Sequence, residues 1–379
     1  MFHLSSLIES RDSNNPYEVR KVQFTGRSTY QLSLPKKWIN EMHIKAGDIV
    51  TIVREANNSL SIFPGNKRSA LSNLSNEVTA VLSPEEGVNS LKRKVVSIYL
   101  AGYSTIHLKS KVDRTINPSQ RDAVREVVRR NLVGTEIIAD ASNIITVQVL
   151  LSFPELSVNT AVRRMFLIAY AMHKDAMTSL DELSYELAHA IIKSDDEVDR
   201  FSLYILRNLV IATQNERILK EIGLKKSSDC LSYRVVVRSI ERVADHASRI
   251  ANKCLTIKEN ISKELFQKIE KMSQSSLAVL NDAVEAFLRR DYNLADSMVD
   301  KAENMKLLEN DIISFMDKEI KRTQHTNNIE STPTNVSLKL ILEDIRRTAE
   351  HASDIAEAAM NQTIDESLER KQLSPSLIS

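Results

Sequence analysis

The chain has 379 residues, a formal net charge of +1 and only seven glycines. At roughly 150 residues per domain this length predicts two or three domains, with a core that needs no disulfide or metal staple. The sequence lacks the glycine motifs of dinucleotide-binding and P-loop folds, which excludes those classes of nucleotide-binding protein. Its two cysteines, Cys230 and Cys254, fall on one predicted helix and are too far apart to form a disulfide.

The sequence also argues against membrane insertion and secretion. The longest apolar run, at 165–172, is far shorter than the ~20 residues that cross a bilayer. Residues 1–10 lack the basic start and long apolar stretch of a signal peptide. We therefore expect a soluble, cytoplasmic protein.

The small net charge hides an asymmetry between two parts of the chain. Between Tyr17 and Arg68 there are nine Lys and Arg against four Asp and Glu, which gives +5. The remaining residues carry a net charge of −4. A basic head on a mildly acidic body indicates that the head meets an anionic partner.

The first part of the chain, after a polar start at 1–16 that we expect to be flexible, is predicted to be a small β unit at 17–67. Apolar and polar residues alternate there, as in half-buried strands. The predicted elements are strands at 22–24 and 30–34, a short helix at 36–42, and strands at 49–53 and 60–63 around a turn at Asn57-Asn58.

A small α/β domain is predicted at 75–152, between the head and the rest of the chain. Short apolar runs alternate there with two helical patterns, in the order β-α-β-α-β-β. This order predicts a mixed sheet with helices on at least one face.

Everything from residue 158 onward is predicted to be helical. Residues 155–332 contain no proline and one glycine, so turn signals are nearly absent. The predicted helices are 158–193, 195–221, 228–256, 261–289, 291–322 and 335–363, followed by a polar tail at 364–379.

The helical part contains an internal repeat. Residues 244–251 and 349–356 are identical at six of eight positions, at an offset of 105. Three helices per copy predict two tandem three-helix bundles, at 158–257 and 260–363. The predicted fold class is therefore a multidomain, mostly α chain with a β head and a small α/β domain.

Four carboxylates form the first candidate site. Glu241 and Asp245 lie one turn apart on one helix, and Asp195 and Asp199 do the same near the start of the preceding predicted helix. In an antiparallel pair joined near Gly223, these two pairs come level. Four such carboxylates would suit a hard or borderline divalent ion. The alternative is that the aspartates, with Asp196, only favour the macrodipole in a first helical turn, and that Glu241 pairs with Arg238 or Arg242.

The second copy places cations at two of these positions. Arg346 and Glu350 correspond to Glu241 and Asp245, and Lys306 corresponds loosely to Asp199. These changes predict an internally salt-bridged copy and a metal preference for the first, with Asp196 and Glu350 as weaker ligand candidates. His246 and His351 follow the two motifs; we interpret them as interface or surface histidines, with an auxiliary ligand role as the alternative.

The sequence Ile-Glu-Arg-Val-Ala-Asp-His-Ala at 240–247 resembles the E-R-x-x-D-H motif of PhoU phosphate-signalling proteins. The resemblance covers about 158–363, including the duplication. It implies acidic motifs that bind a divalent or trivalent metal, such as iron, zinc, manganese or magnesium, through Asp195, Asp199, Glu241 and Asp245. It also implies contact with a phosphate ABC transporter or a signalling kinase.

The head resembles the AbrB/SpoVT swapped-hairpin domain, in the form that is fused to PhoU repeats in archaea. The resemblance rests on Thr25-Gly26-Arg27, on Leu-Ser-Leu-Pro-Lys-Lys-Trp at 32–38 and on Lys-Ala-Gly-Asp-Ile-Val at 45–50. It implies an obligate homodimer that binds DNA. The residues expected to contact DNA phosphates and base edges are Arg20, Lys21, Arg27, Lys36 and Lys37. The alternative is a head that only dimerises.

An arginine stripe at Arg121, Arg125 and Arg129 could add phosphate contacts, although the interleaved acids favour a solvated helix face. The sequence has no nucleophile elbow, no H-E-x-x-H motif and no Cys-His dyad, which argues against an enzyme. We therefore expect a transcriptional regulator of phosphate homeostasis. The competing hypothesis is an adaptor for the transporter or kinase that never contacts DNA.

Overall fold

A computed structural model describes the chain at residues 18–26, 28–54, 60–65, 77–111, 115–150, 156–258, 260–324 and 333–368. The chain divides into two compact units, residues 1–75 and 76–379. Each unit is described by itself.

The described residues of the first unit form two β-hairpins and a short helix, as the sequence predicts. Its elements are β1 (Gln23–Thr25), β2 (Thr29–Gln31), α1 (Lys36–Glu41), β3 (Val50–Arg54) and β4 (Leu60–Pro64). β1 pairs with β2 and β3 with β4, both antiparallel. The predicted turn at Asn57-Asn58 lies outside the described residues.

The described strands of the first unit leave most of their large apolar side chains exposed. Large apolar side chains on its strands are 60–71% exposed: Phe24, Tyr30, Ile52 and Leu60. Among the residues of the unit whose burial the structure describes, only Pro35 is buried. An apolar surface of this extent is typical of a surface that is covered by another molecule.

The second unit begins with the α/β domain, in the predicted order. Its elements are β5 (Glu77–Leu82), α2 (Val88–Leu100), β6 (Thr105–Ser110), α3 (Pro118–Arg130), β7 (Thr135–Asp140) and β8 (Ile144–Val149). The sheet order is β5-β6-β8-β7. β5 and β6 are parallel, and the other neighbours are antiparallel. The two helices and the sheet share one apolar core around Leu91, Ile106, Val124 and Val147.

Helices make up the rest of the second unit. They are α4 (Val158–Glu182), α5 (Tyr185–Gln214), α6 (Glu216–Glu221), α7 (Asp229–Cys254), α8 (Lys263–Arg289), α9 (Tyr292–Glu303), α10 (Met305–Gln324) and α11 (Pro333–Ser367). The middle helix of each predicted bundle is thus interrupted once, at Asn215 and at Asn304. These helices form two repeats that share one continuous core. α7 of the first repeat packs against α11 of the second.

One predicted helix boundary is wrong, and the error affects the candidate site. The sequence predicts a break at Ser194-Asp195, but the chain turns at Leu183, which adopts a left-handed conformation with φ of 48°. Ser184 then caps α5 by accepting a hydrogen bond from the backbone N–H of Leu187. Ser194 lies inside α5, where its hydroxyl donates to the carbonyl of Ala190 at 3.0 Å. A serine bonded in this way is accommodated in a helix interior.

A buried arginine fastens the α/β domain to the first helical repeat. Arg207 on α5 donates to the carbonyl oxygens of Tyr99 and Gly102, and its guanidinium carbon lies 4.7 Å from the centre of the Tyr99 ring. Gly102 has φ of +98°, and a Cβ there would meet Ile211 Cγ1 at 2.9 Å. The loop after α2 can therefore approach α5 closely only because residue 102 is glycine.

We expect Arg207→Met to destabilise the second unit, because two buried carbonyls lose a charged donor. The loss should be about 2 kcal/mol, which lowers the midpoint of thermal unfolding by a few degrees. Arg217→Met, at an arginine with 70% side-chain exposure, is the matched control and should leave the midpoint unchanged. Equal midpoints for the two variants would contradict the anchoring role.

Candidate functional site

The structure brings the four predicted carboxylates together. Asp195 and Asp199 lie on α5, Glu241 and Asp245 lie on α7, and the two helices pack against each other. Each aspartate on α5 is close enough to both acids on α7 to feel their charge. Asp196, next to them, is exposed.

Burial and mutual repulsion make the two aspartates on α5 hard to ionise. Burial is the larger cause for Asp195, and the charges of Asp245, Asp196 and Glu241 add to it, so its pKa rises from 3.8 to about 6. The pKa of Asp199 also rises to about 6, through burial first and then through Glu241 and Asp195. The site therefore holds negative charge that the protein does not neutralise.

The two acids on α7 already have partners. Glu241 accepts a hydrogen bond from Ser202 Oγ at 3.3 Å and forms an ion pair with Arg238. Arg242 contacts Asp245 at 3.3 Å. The predicted pairing of Glu241 with Arg238 is thus confirmed. The predicted first-turn role of the aspartates is wrong, because Asp195 lies ten residues after the start of α5.

The donor set fits a cation in chemistry but does not form a closed cage. Four carboxylates on two adjacent helices offer only oxygen ligands, the type preferred by hard divalent ions. Among the described residues, however, no three His, Cys, Asp or Glu side chains are gathered as they would be around a metal ion. An ion at this site would have to draw the carboxylates closer and compete with Arg238 and Arg242.

The corresponding place in the second repeat is an internal salt-bridge network, as predicted. Arg346 contacts Glu309 Oε2 at 2.7 Å and also pairs with Glu350. Arg347 holds the second oxygen of Glu350 at 3.0 Å. Lys306 is exposed. The sequence analysis does not identify Glu309. Its only signal in the sequence is that it is an acid on the helix that precedes the one with Arg346.

The two motif histidines meet at the interface of the repeats. His246 is buried and its ring stacks on that of His351, with centroids 5.4 Å apart. Asp344 on α11 contacts His246 Nδ1 at 2.8 Å. The predicted interface role thus holds for His246, whose ring contacts Asp344 and His351 on α11.

The basic residues of the head are at its surface. Arg20, Lys21, Lys36 and Lys37 are exposed, and Arg20 pairs with Glu18. Arg27 lies outside the described residues. The exposed positions are compatible with contacts to an extended anion, but nucleic-acid contact by these residues stays a prediction.

The arginine stripe of α3 has a structural role in part. Arg121 and Arg125 both pair with Asp140 at the end of β7. Arg121 also donates to the carbonyl of Ala141 at 2.9 Å. These contacts tie α3 to the β7–β8 turn, so two of the three arginines are engaged by the α/β domain itself.

The raised pKa values of Asp195 and Asp199 predict that the metal-free protein loses stability as the pH rises. Folded Asp195 and Asp199 keep their protons up to about pH 6, whereas unfolded aspartates lose them near 3.8. The protonated aspartates therefore make their full contribution to the free energy of unfolding below pH 3.8, and this contribution is lost as the pH rises through 6. Asp195→Asn with Asp199→Asn should stabilise the metal-free chain at pH 7, by about 1 kcal/mol after solvent screening.

The measurement is thermal unfolding of both proteins at pH 5 and pH 7 with chelator present. The stabilisation by the double variant should be larger at pH 7. Asp181→Asn with Asp300→Asn, at two exposed aspartates, is the matched control. A benefit that is equal at both pH values would show that the carboxylates do not repel one another as described.

Two family models match separate parts of the chain. The PhoU domain matches residues 162–254 and again 269–359. The model for "Antidote-toxin recognition MazE, bacterial antitoxin" matches residues 23–69. The first pair coincides with the predicted repeats, and the second match coincides with the predicted β head. No helix among the described residues is both long and apolar enough to cross a membrane.

Relatives and solved structures carry the same family name. The chain is 30% identical over 207 residues to a phosphate-specific transport system accessory protein PhoU homolog 1 from Thermotoga maritima, covering 52% of this chain and 80% of that protein. It is 25% identical over 162 residues to a PhoU homolog from Aquifex aeolicus, covering 40% and 69%.

A crystal structure of the regulatory protein PhoU from Streptococcus pneumoniae matches 56% of this chain and 96% of its own, with 23% identity and a TM-score of 0.46. The level of identity to the Thermotoga protein, over four fifths of its length, and the two PhoU matches in tandem establish the relationship. With its repeated helical core, this chain belongs to the PhoU family.

Proposed function

We propose that the protein is a transcriptional regulator of phosphate homeostasis, in which a dimeric head binds DNA and the PhoU repeats sense a metal-linked state. The observation that carries this proposal is the combination on one chain of a basic MazE-like segment and two PhoU domains. The relatives are named as accessory proteins of phosphate-specific transport, which supports the proposed role in phosphate homeostasis.

Dimerisation is supported by the exposed apolar strands of the head. Phe24 and Tyr30 pack edge-to-face on each other, yet remain 60% and 71% exposed. Covering such surface stabilises by roughly 25 cal/mol per Å² of apolar area. A second copy of the same head is the occupant that we propose, because a unit of this size rarely builds a sufficient core alone.

DNA binding is supported by charge. The head carries a net charge of +5, and dimerisation would double that charge on one particle. Lysines and arginines at such a surface neutralise phosphates and release counterions. The residues that we assign to this contact are the predicted Arg20, Lys21, Arg27, Lys36 and Lys37.

Metal binding is proposed for the first repeat, at Asp195, Asp199, Glu241 and Asp245. The uncompensated negative charge at these carboxylates supports it, since a divalent or trivalent cation there would relieve the repulsion. Iron, zinc, manganese and magnesium are the candidates. The second repeat already holds Arg346 where the first has Glu241, and its Glu350 is engaged by two arginines. We therefore expect one metal centre per chain rather than two.

The alternative function is an adaptor that regulates a phosphate ABC transporter or a sensor kinase by protein contact. The names of the two relatives favour it, because both are called accessory proteins of a transport system. The two functions differ in one measurable property, the sequence-specific binding of DNA.

We expect the full chain to enrich a palindromic motif from a random duplex library, with affinity that falls steeply as salt increases. Replacing Lys21, Lys36 and Lys37 by alanine should reduce the salt slope by about 0.9 for each phosphate contact that is lost. The matched control replaces three exposed lysines of the helical body, Lys263, Lys271 and Lys301. Binding without an enriched motif, or equal slopes for both triple variants, would favour the adaptor.

Elemental analysis of the purified full chain should find about one metal centre per chain. Glu241→Gln with Asp245→Asn should lose it, because two of the proposed ligands no longer carry charge. Glu309→Gln with Glu350→Gln makes the equivalent change in the second repeat and should keep the metal. Unchanged metal content in the first double variant would rule out the proposed centre.

A further inference from the structure

A cleft of about 380 Å³ runs between α7 and α11, where the two repeats meet. We call it the α7–α11 cleft, and its size falls in the range of sites for small ligands. The stacked rings of His246 and His351 line it. It lies on the side of α7 that faces α11, whereas the carboxylate site lies between α7 and α5.

Cations outnumber anions in the lining of the cleft by four to two. The cations are Arg242, Arg249, Lys253 and Arg347, and the anions are Glu343 and Asp344. Arg242 also pairs with Asp245 and Arg347 with Glu350, two acids outside the lining. The three cations of α7 recur at seven and four residues, so they lie on one face of the helix. At 1.5 Å per residue, the first and last of them are about 16 Å apart along α7.

The buried anion of the cleft is already committed. Asp344 accepts from His246 at 2.8 Å and from Lys253 at 2.7 Å. Burial raises its pKa, but these two hydrogen bonds together with the charges of Lys253 and His246 hold the pKa below its usual range. Arg249 lies 3.9 Å from the same carboxylate, so Asp344 offers it only a long contact.

Two arginines remain half-exposed at the cleft. The side chains of Arg249 and Arg347 are 51% and 49% exposed, and they come from opposite walls. Guanidinium groups bind oxyanions through paired N–H donors, which suits phosphoryl groups in particular. The Nδ1 atoms of His246 and His351 contact Asp344 and Asp354.

We propose that the α7–α11 cleft binds a small ligand that carries a chain of phosphoryl groups. A single tetrahedral anion could contact only part of a cationic lining that extends about 16 Å. A di- or triphosphate chain can meet Arg249 and Arg347 together and still approach Lys253. The chain could belong to an inorganic oligophosphate or to a nucleotide, and these two sources share the same recognition chemistry.

The test is isothermal titration of the metal-free full chain with tripolyphosphate, after chelator has been removed by dialysis. Wild type should show a tight site that Arg249→Gln with Arg347→Gln weakens at least tenfold. The matched control is Arg217→Gln with Arg289→Gln, two arginines that are 70% and 72% exposed. The basic head can also attract this ligand, but its contribution is the same in all three proteins.

Equal affinities in wild type and both double variants would overturn the proposal, as would binding of orthophosphate that is as tight as binding of tripolyphosphate. Arg249→Lys with Arg347→Lys keeps the charge but loses the paired donors, so it should bind with intermediate affinity and thereby separate recognition from misfolding. Titration with adenosine triphosphate identifies the source, because a nucleotide site binds it more tightly than tripolyphosphate.

Discussion

The packing of α7 against α11 is the contact on which the rest of the helical body depends. These are the last helices of the two repeats, and each also packs on the other helices of its own repeat. A duplicated sequence thereby places two copies of one motif face to face, with His246 stacked on His351. Since α7 has α11 on one side and α5 on another, a single helix serves both the proposed cleft and the carboxylate site.

One fully buried polar group of this core has hydrogen-bond partners on two neighbouring helices. His173 on α4 is fully buried and bonds to Ser273 at 3.0 Å, and Thr348 of α11 lies at its other nitrogen. Burial lowers the pKa of His173 to about 4, so it is neutral at pH 7 and needs no counter-ion. By contrast, the acids between α5 and α7 outnumber the cations that pair with them, whereas the charges of a structural ion pair balance.

The α5 helix offers a physical route between the carboxylates and the α/β domain. It carries Asp199 at the site and Arg207 at the domain junction, eight residues or about 12 Å further along. A shift of α5 towards a cation would therefore act directly on the anchor at Tyr99 and Gly102. Both regions lie in the second compact unit, residues 76–379, which is compatible with such coupling.

Much of this organisation was readable from the sequence because it depends on local signals. The offset of 105 revealed the duplication, strand alternation revealed the head, and the i, i+4 acids indicated the site. The turn at Leu183 was hidden, since a left-handed residue other than glycine leaves no composition signal and is held there by tertiary packing. For the same reason only the tertiary structure could show which charges are compensated. Glu309 reaches Arg346 from another helix, whereas Asp195 and Asp199 meet further acids.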